Sequence, residues 1–155
     1  MPNLVSKPFT VAVGPSAQIT YVSGELSASR KYAGEFFKIP PRVKLLDAGG
    51  NLVNDNQNGV QVSIYGNPTG ASIGPNSSVF SVAKNGIVTF SALAINKAGV
   101  NYTLLFRLYK YSTVFSNFSA SNVALLSEKF DVYGGVPRKL EIVTPASGAW
   151  AGNQV

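Results

Sequence analysis

Asp47, Asn51, Asn54, Asp55, Asn56 and Asn58 crowd one short stretch of the chain, and all carry the hard oxygen donors that Ca²⁺ takes. Asp47, Asn51 and Asp55 are the candidate ligands of a weak calcium site. The stretch has no D-x-D run of carboxylates and no terminal Glu, as a calcium loop would. Asn and Asp are also the residues that turns favour on conformational grounds alone. An Asx-rich turn is therefore the simpler expectation, with calcium as the alternative and no other cofactor in view.

Catalysis finds little to work with. The acids are Glu25, Glu35, Asp47, Asp55, Glu128, Asp131 and Glu141. A glycosidase needs two carboxylates facing each other across a cleft about 5–9 Å wide, and no two of these stand together on neighbouring strand ends. Ser and Thr are plentiful, but there is no His to activate them and no G-x-S-x-G elbow. The absence of Cys removes disulfides, thiolate metal sites and cysteine nucleophiles together. The sequence predicts a protein that is not an enzyme.

Modification is better represented. Asn76-Ser77-Ser78, Asn101-Tyr102-Thr103 and Asn117-Phe118-Ser119 are N-glycosylation sequons, whereas proline spoils Asn67-Pro68-Thr69. Three such triplets in one stretch point to a secretory pathway and a glycoprotein; chance sequons in a bacterial surface protein are the alternative. Asn76 and Asn117 fall in expected loops, and Asn101 stands where a strand begins.

The net charge of +6 raises nucleic acid as a partner. A site that tracks a phosphate backbone needs a basic stripe interleaved with aromatics. Here the basic residues fall into separated groups, Arg30-Lys31, Lys38 to Lys44 and Arg138-Lys139. They read as solvated charges, so no nucleic acid is expected, and an anionic polysaccharide is the remaining polyanion. No apolar run approaches the roughly 18 residues of a membrane span. Met1-Pro2-Asn3-Leu4 lacks the charged and apolar regions of a signal peptide, so a secreted parent would carry its signal outside this sequence.

The elements that must hold these residues are strands. Only 13% of residues are charged while 45% are hydrophobic, and Gly, Pro, Ser and Asn punctuate runs rich in Val, Ile, Thr, Tyr and Phe. Val43, Leu45 and Asp47 alternate with polar or outward positions, as do Val60, Val62 and Ile64, and again Tyr102, Leu104, Phe106 and Leu108. Gln18 to Val22 opens the unit. Phe36 to Ile39 predicts a short edge piece ended by Pro40-Pro41, which cannot donate to a ladder. Asn85-Gly86 predicts a two-residue hairpin between Val79–Val82 and Ile87–Phe90. Residues 110–122 read as a Ser/Asn-rich connection, and Leu125 to Val132 as the closing strand. Tyr102 stands where a corner tyrosine would enter the core and bond backbone in the preceding turn.

The connection after Tyr109 holds Tyr111, Phe115 and Phe118, and these four aromatics are the candidate contact residues. Exposed apolar clusters usually mean a partner. Folding back to cover a sheet edge is the other outcome.

The two ends of the chain repeat each other. Leu4-Val5-Ser6-Lys7-Pro8-Phe9-Thr10-Val11 matches Leu125-Leu126-Ser127-Glu128-Lys129-Phe130-Asp131-Val132, and Gly14, Ile19, Tyr21 and Val22 match Gly135, Leu140, Ile142 and Val143, all at an offset of 121 residues. A fixed offset is the mark of a repeat array. The chain thus divides into 1–15, the closing strand of a preceding repeat; 16–135, one complete unit; and 136–155, the opening of a following one, with Trp150 as unfinished core or an inter-unit contact.

About seven short strands with turns between them predict an all-β sandwich. Val43 to Asp47 with Gly50-Asn51, Asn85-Gly86-Ile87-Val88-Thr89-Phe90, Leu93 and Ile95, Ala98-Gly99 through Leu104, and Ser127 with Phe130 and Val132 resemble the marks of bacterial-type and filamin-type immunoglobulin-like repeats. The resemblance implies an immunoglobulin-like fold and a structural or adhesive module of a tandem-repeat, cell-surface or extracellular filament protein. Its partners would be neighbouring repeats and other filament or surface proteins. A carbohydrate-binding module, with glycans as partners, and a fibre subunit that exchanges terminal strands are the alternatives.

Overall fold

The computed structural model describes residues 5–22, 26, 29–137 and 139–141. Among them there is no helix, and therefore none long and apolar enough to cross a membrane. The described residues form nine strands: β1 Gln18–Tyr21, β2 Lys31–Tyr32, β3 Arg42–Leu46, β4 Gly59–Gly66, β5 Phe80–Val82, β6 Ile87–Thr89, β7 Gly99–Ser112, β8 Asn117–Leu126 and β9 Phe130–Tyr133. They form two sheets, one of three strands in the order β1-β3-β6 and one of six in the order β2-β9-β7-β4-β5, with β8 also paired to β7. The molecule is all-β, with the two sheets packed over one core as in a β-sandwich.

Period-two alternation builds that core. Val43 and Leu45 from β3, Val60 and Val62 from β4, and Tyr102, Leu104, Phe106 and Leu108 from β7 turn inward and are almost wholly buried. Phe106 ties the layers together, with Tyr21 edge-on at 5.7 Å and Phe90 at 5.4 Å between ring centroids. Tyr102 takes the corner position expected of it. Its ring is buried, and its hydroxyl donates to the Lys97 carbonyl at 3.1 Å in the preceding turn.

The strand count exceeds seven for two reasons. Lys31–Tyr32 adds a two-residue strand that runs parallel to β9, and the closing stretch is two strands in place of one. Leu126 and Leu125 pair with Leu105 and Phe106, then Phe130 and Val132 pair with Tyr102 and Gly99. Ser127 bridges the break along the same edge of β7: its N–H donates to the Leu104 carbonyl and its hydroxyl accepts from the Leu104 N–H, both at 2.8 Å. A side-chain oxygen thus replaces a missing ladder acceptor.

Three other expectations are corrected. Residues 36–39 form no edge strand; they carry the chain from β2 in one sheet to β3 in the other, with the Phe37 ring buried. The Asn85-Gly86 turn forms with both residues at positive φ, 50° and 76°, as a type I′ turn requires, and Lys84 and Ile87 exchange both backbone hydrogen bonds. The ladder ends there, because β5 joins β4 in one sheet while β6 joins β3 in the other. The dipeptide sets the reversal; burial of Ala83, Val88 and Phe90 sets where its arms go. Residues 110–122 are not a loop. β7 runs to Ser112 and β8 starts at Asn117, leaving only 113–116 as the turn of a long ribbon. A ribbon that runs past the core has no inner face to bury, so it loses the apolar alternation that marks a strand.

Residues 5–13 belong to no strand, and Phe9 and Val11 are 80% and 81% exposed. Residues 139–141 likewise belong to no strand, and Leu140 is exposed. Leu4, Glu25, Ile142, Val143 and Trp150 lie outside the described residues.

Candidate functional site

The Asx-rich stretch spends its oxygens on the fold. Asp47 Oδ1 accepts from the N–H groups of Gly49 at 2.9 Å and Asn51 at 2.8 Å, while Oδ2 accepts from Gly14 N–H at 3.0 Å and Asn51 Nδ2 at 3.1 Å. Hydrogen bonds from Gly14 N–H, then from Asn51, hold the Asp47 carboxyl down at about 2. Asp55 organises the next turn. Its Oδ1 accepts from Gln57 and Asn58 N–H at 2.8 and 2.9 Å, and its Oδ2 from the Ser16 hydroxyl at 2.9 Å and from Asn58 Nδ2. Burial pushes the Asp55 carboxyl up, but these donors outweigh it and leave the group below its ordinary value. Asn56 and Asn58 side chains accept from Asn85 N–H and Tyr111 N–H, at 2.8 and 2.9 Å.

Every Asp47 and Asp55 oxygen therefore already accepts from at least one donor. Among the described residues no three His, Cys, Asp or Glu side chains gather as a metal group. What the cluster does is fasten the incoming chain, because Gly14 and Ser16 are its distant partners. Local sequence signals contain nothing of these two bonds, each of which spans more than thirty residues.

This arrangement predicts an acid-sensitive fastening. The folded-state Asp47 value lies below the ordinary 3.8, so the stability it contributes is complete above that value and disappears as the pH falls towards about 2. Thermal melts between pH 5 and about pH 2 should fall more steeply for the natural chain than for Asp47→Asn. Parallel pH profiles would show that the carboxylate does not hold the turn.

The contact aromatics separate into two groups. Tyr109, Tyr111 and Phe118 lie on the outer face of the six-stranded sheet and pack together with Phe80, which the sequence reading missed. Phe80 meets Tyr109 at 5.8 Å and Phe118 at 4.9 Å, both edge-on, and Phe118 meets Tyr111 at 5.2 Å. The Tyr109 hydroxyl donates to Gln61 Oε1 at 2.9 Å. Phe115 is apart from them at the ribbon tip, 76% exposed beside Val114 at 82%. Tyr109 and Tyr111 are thus half-buried, while Phe118, at 38%, and Phe115 are exposed.

Gly59 is what lets Phe80 lie across the sheet. A Cβ at that position would collide with Phe80 Cζ. Gly59→Ala is expected to cost roughly 1–3 kcal/mol by overpacking. Shortening the ring with Phe80→Leu should recover part of that loss, as a double-mutant cycle of thermal or urea unfolding would measure. Additive costs would contradict the contact.

All three sequon asparagines are exposed. Asn76 and Asn101 adopt left-handed φ values of 62° and 63°. Asn101 occupies the β7 bulge opposite β9, where Asp131 Oδ1 accepts its N–H at 2.9 Å. Asn117 begins β8 instead of lying in a loop.

The Arg30-Lys31 pair is not the solvated pair the sequence suggests. Lys31 is buried, with Nζ 5.5 Å from the ring centroids of both Phe37 and Phe130. The ammonium donates to the carbonyls of Leu26 and Ser29, and burial pushes its pKa down. Arg30 lies over the Tyr133 ring at 5.3 Å. No protein-family model matches the chain, and no curated protein and no solved structure matches it.

Proposed function

We propose that this chain is a non-catalytic, immunoglobulin-like module of a tandem-repeat extracellular or cell-surface protein, acting as a structural or adhesive element through protein–protein contacts. The observation that carries this reading is the doubled closing-strand sequence. In one copy Phe130 and Val132 are buried core residues; in the other the matching Phe9 and Val11 are exposed. A strand sequence without a core of its own in the chain is what a cut through a repeat array would leave.

Several features support the immunoglobulin-like topology. Successive strands cross repeatedly between the sheets, β2 runs parallel to the last strand, and a corner tyrosine opens β7. The Gly14 and Ser16 fastenings support a joint of fixed geometry, since only Val13 separates Gly14 from the residues that match β9. The exposed sequons support a glycoprotein. The test is the coding sequence on either side of the module: further copies at the same offset are expected, and a parent without them overturns the array.

The outer aromatic face favours the glycan-binding alternative, but its rings meet edge-on, at interplanar angles of 86° and 72° around Phe80. Such packing offers no flat platform for a sugar. Glycan-array binding that is lost in Tyr111→Ala or Phe118→Ala would reverse that preference.

A further inference from the structure

Residues 125–132 show what their sequence does in a folded module, and residues 4–11 share its Leu, Ser, Phe and Val at four of eight positions, with Phe9 and Val11 exposed. Resting on the tandem-module reading, we infer that residues 5–13 are the closing strand of a second copy of this module. They pair along the β7 edge of that copy, with Phe9 opposite Tyr102 and Val11 opposite Gly99.

Each step of the match has a physical role. Phe130 packs edge-on against Phe37 at 6.0 Å, lies 6.2 Å from the Tyr102 ring and faces the Lys31 ammonium. Phe9 presents the same ring to the same box in the second copy. Ser127 supplies the hydroxyl that accepts from Leu104 N–H, and Ser6 stands at that position. Asp131 accepts Asn101 N–H through its side chain, and Thr10 offers an oxygen there. Pro8 falls where Lys129 lies between β8 and β9, outside both strands, so its missing N–H costs no ladder bond. The segment begins from an exposed, unpaired state, and edge pairing is the use such a strand finds.

In the natural chain β9 already fills its own slot, so the slot has to be loosened to see the exchange. The experiment uses the full chain with Phe130→Ala, which weakens the resident strand and leaves residues 5–13 intact. Sedimentation over a concentration series should show self-association, weakened about tenfold or more when Phe9→Ala is added. The chain has no cysteine, so register is read by adding Ala12→Cys and Tyr32→Cys, which would face each other as Tyr133 and Tyr32 do. Oxidation should then link two copies.

If Phe130→Ala unfolds the chain, a synthetic peptide of residues 4–14 should restore the sheet signal in circular dichroism, and the same peptide with Phe9→Ala should not. A folded Phe130→Ala chain that stays monomeric overturns the inference. So does association indifferent to Phe9→Ala, or a peptide without effect on an unfolded chain. Association without the cross-link overturns the register. The tandem reading is tested separately, by flanking copies in the parent sequence, and survives or fails independently of these results.

Discussion

Tyr102→Ala should cost about 3–5 kcal/mol, the range for deleting a large buried ring, and that is a large share of the roughly 5–15 kcal/mol that holds a domain folded. Tyr102→Phe isolates the corner. The phenol has one proton, and the Lys97 carbonyl, which can only accept, takes it at 3.1 Å. The Thr69 hydroxyl, also bonded to the phenol oxygen, must therefore be the donor of that second bond. One oxygen thus ties the turn after β4 to the turn before β7. Removing it should cost about 1–2 kcal/mol by leaving a carbonyl short of a partner. Thr69→Val should add little once the phenol is gone, because the two changes break the same link. Urea unfolding of the four variants measures all of this, and equal stability of Tyr102→Phe and the natural chain would remove the corner from the account of the fold.

That corner was legible in the sequence because it rests on local order: a Gly-containing turn, then a tyrosine, then alternating apolar residues. The same holds for Val43 and Leu45 or Val60, Val62 and Ile64, where period two declares both the strand and its inner face. Elements whose cause is not local were hidden. Lys31–Tyr32 is a strand only because β9, a hundred residues later, runs beside it. The arms of the Asn85-Gly86 turn separate because β3 and β4 offer each a different sheet, a choice absent from the dipeptide. The ribbon of β7 and β8 escaped notice since its far end covers no core, and Ser and Asn there read as a loop.

The candidate residues divide along the same line. Asp47, Asn51 and Asp55 are marked by composition, but oxygen-rich turns and calcium loops share that composition. The use these oxygens find in the fold rests on donors from a remote segment, the Gly14 N–H and the Ser16 hydroxyl, which composition does not contain. Tyr109, Tyr111 and Phe118 were marked by residue type. Phe80, which holds them together, was not, because its role depends on the bare backbone of Gly59 across the strand pair.

Lys31 carries the second large effect. Lys31→Ala should cost about 2–4 kcal/mol, through lost packing between Phe37 and Phe130 and through the unpaired carbonyls of Leu26 and Ser29. Lys31→Met keeps the stem and removes the charge, and should recover much of that loss, since a buried ion can be replaced by a well-packed apolar group at little cost. Beyond those carbonyls and rings the charge finds little relief: Arg30 and Lys129 line the same cavity, and the nearby Asp131 spends one carboxylate oxygen on Asn101. The sign of the pH effect follows. Burial lowers the folded-state pKa of Lys31 below the ordinary 10.5, so near neutral pH the charged form is present in both states and the folded state bears the cost of burying it. As the pH rises through the folded-state value, the folded lysine loses its proton first, the cost is relieved and stability rises relative to Lys31→Met. Above 10.5 the difference levels off. Melting both proteins from pH 7 to pH 11 measures that window, and a gap between them that stays constant with pH would mean that the ammonium is solvated in the folded state.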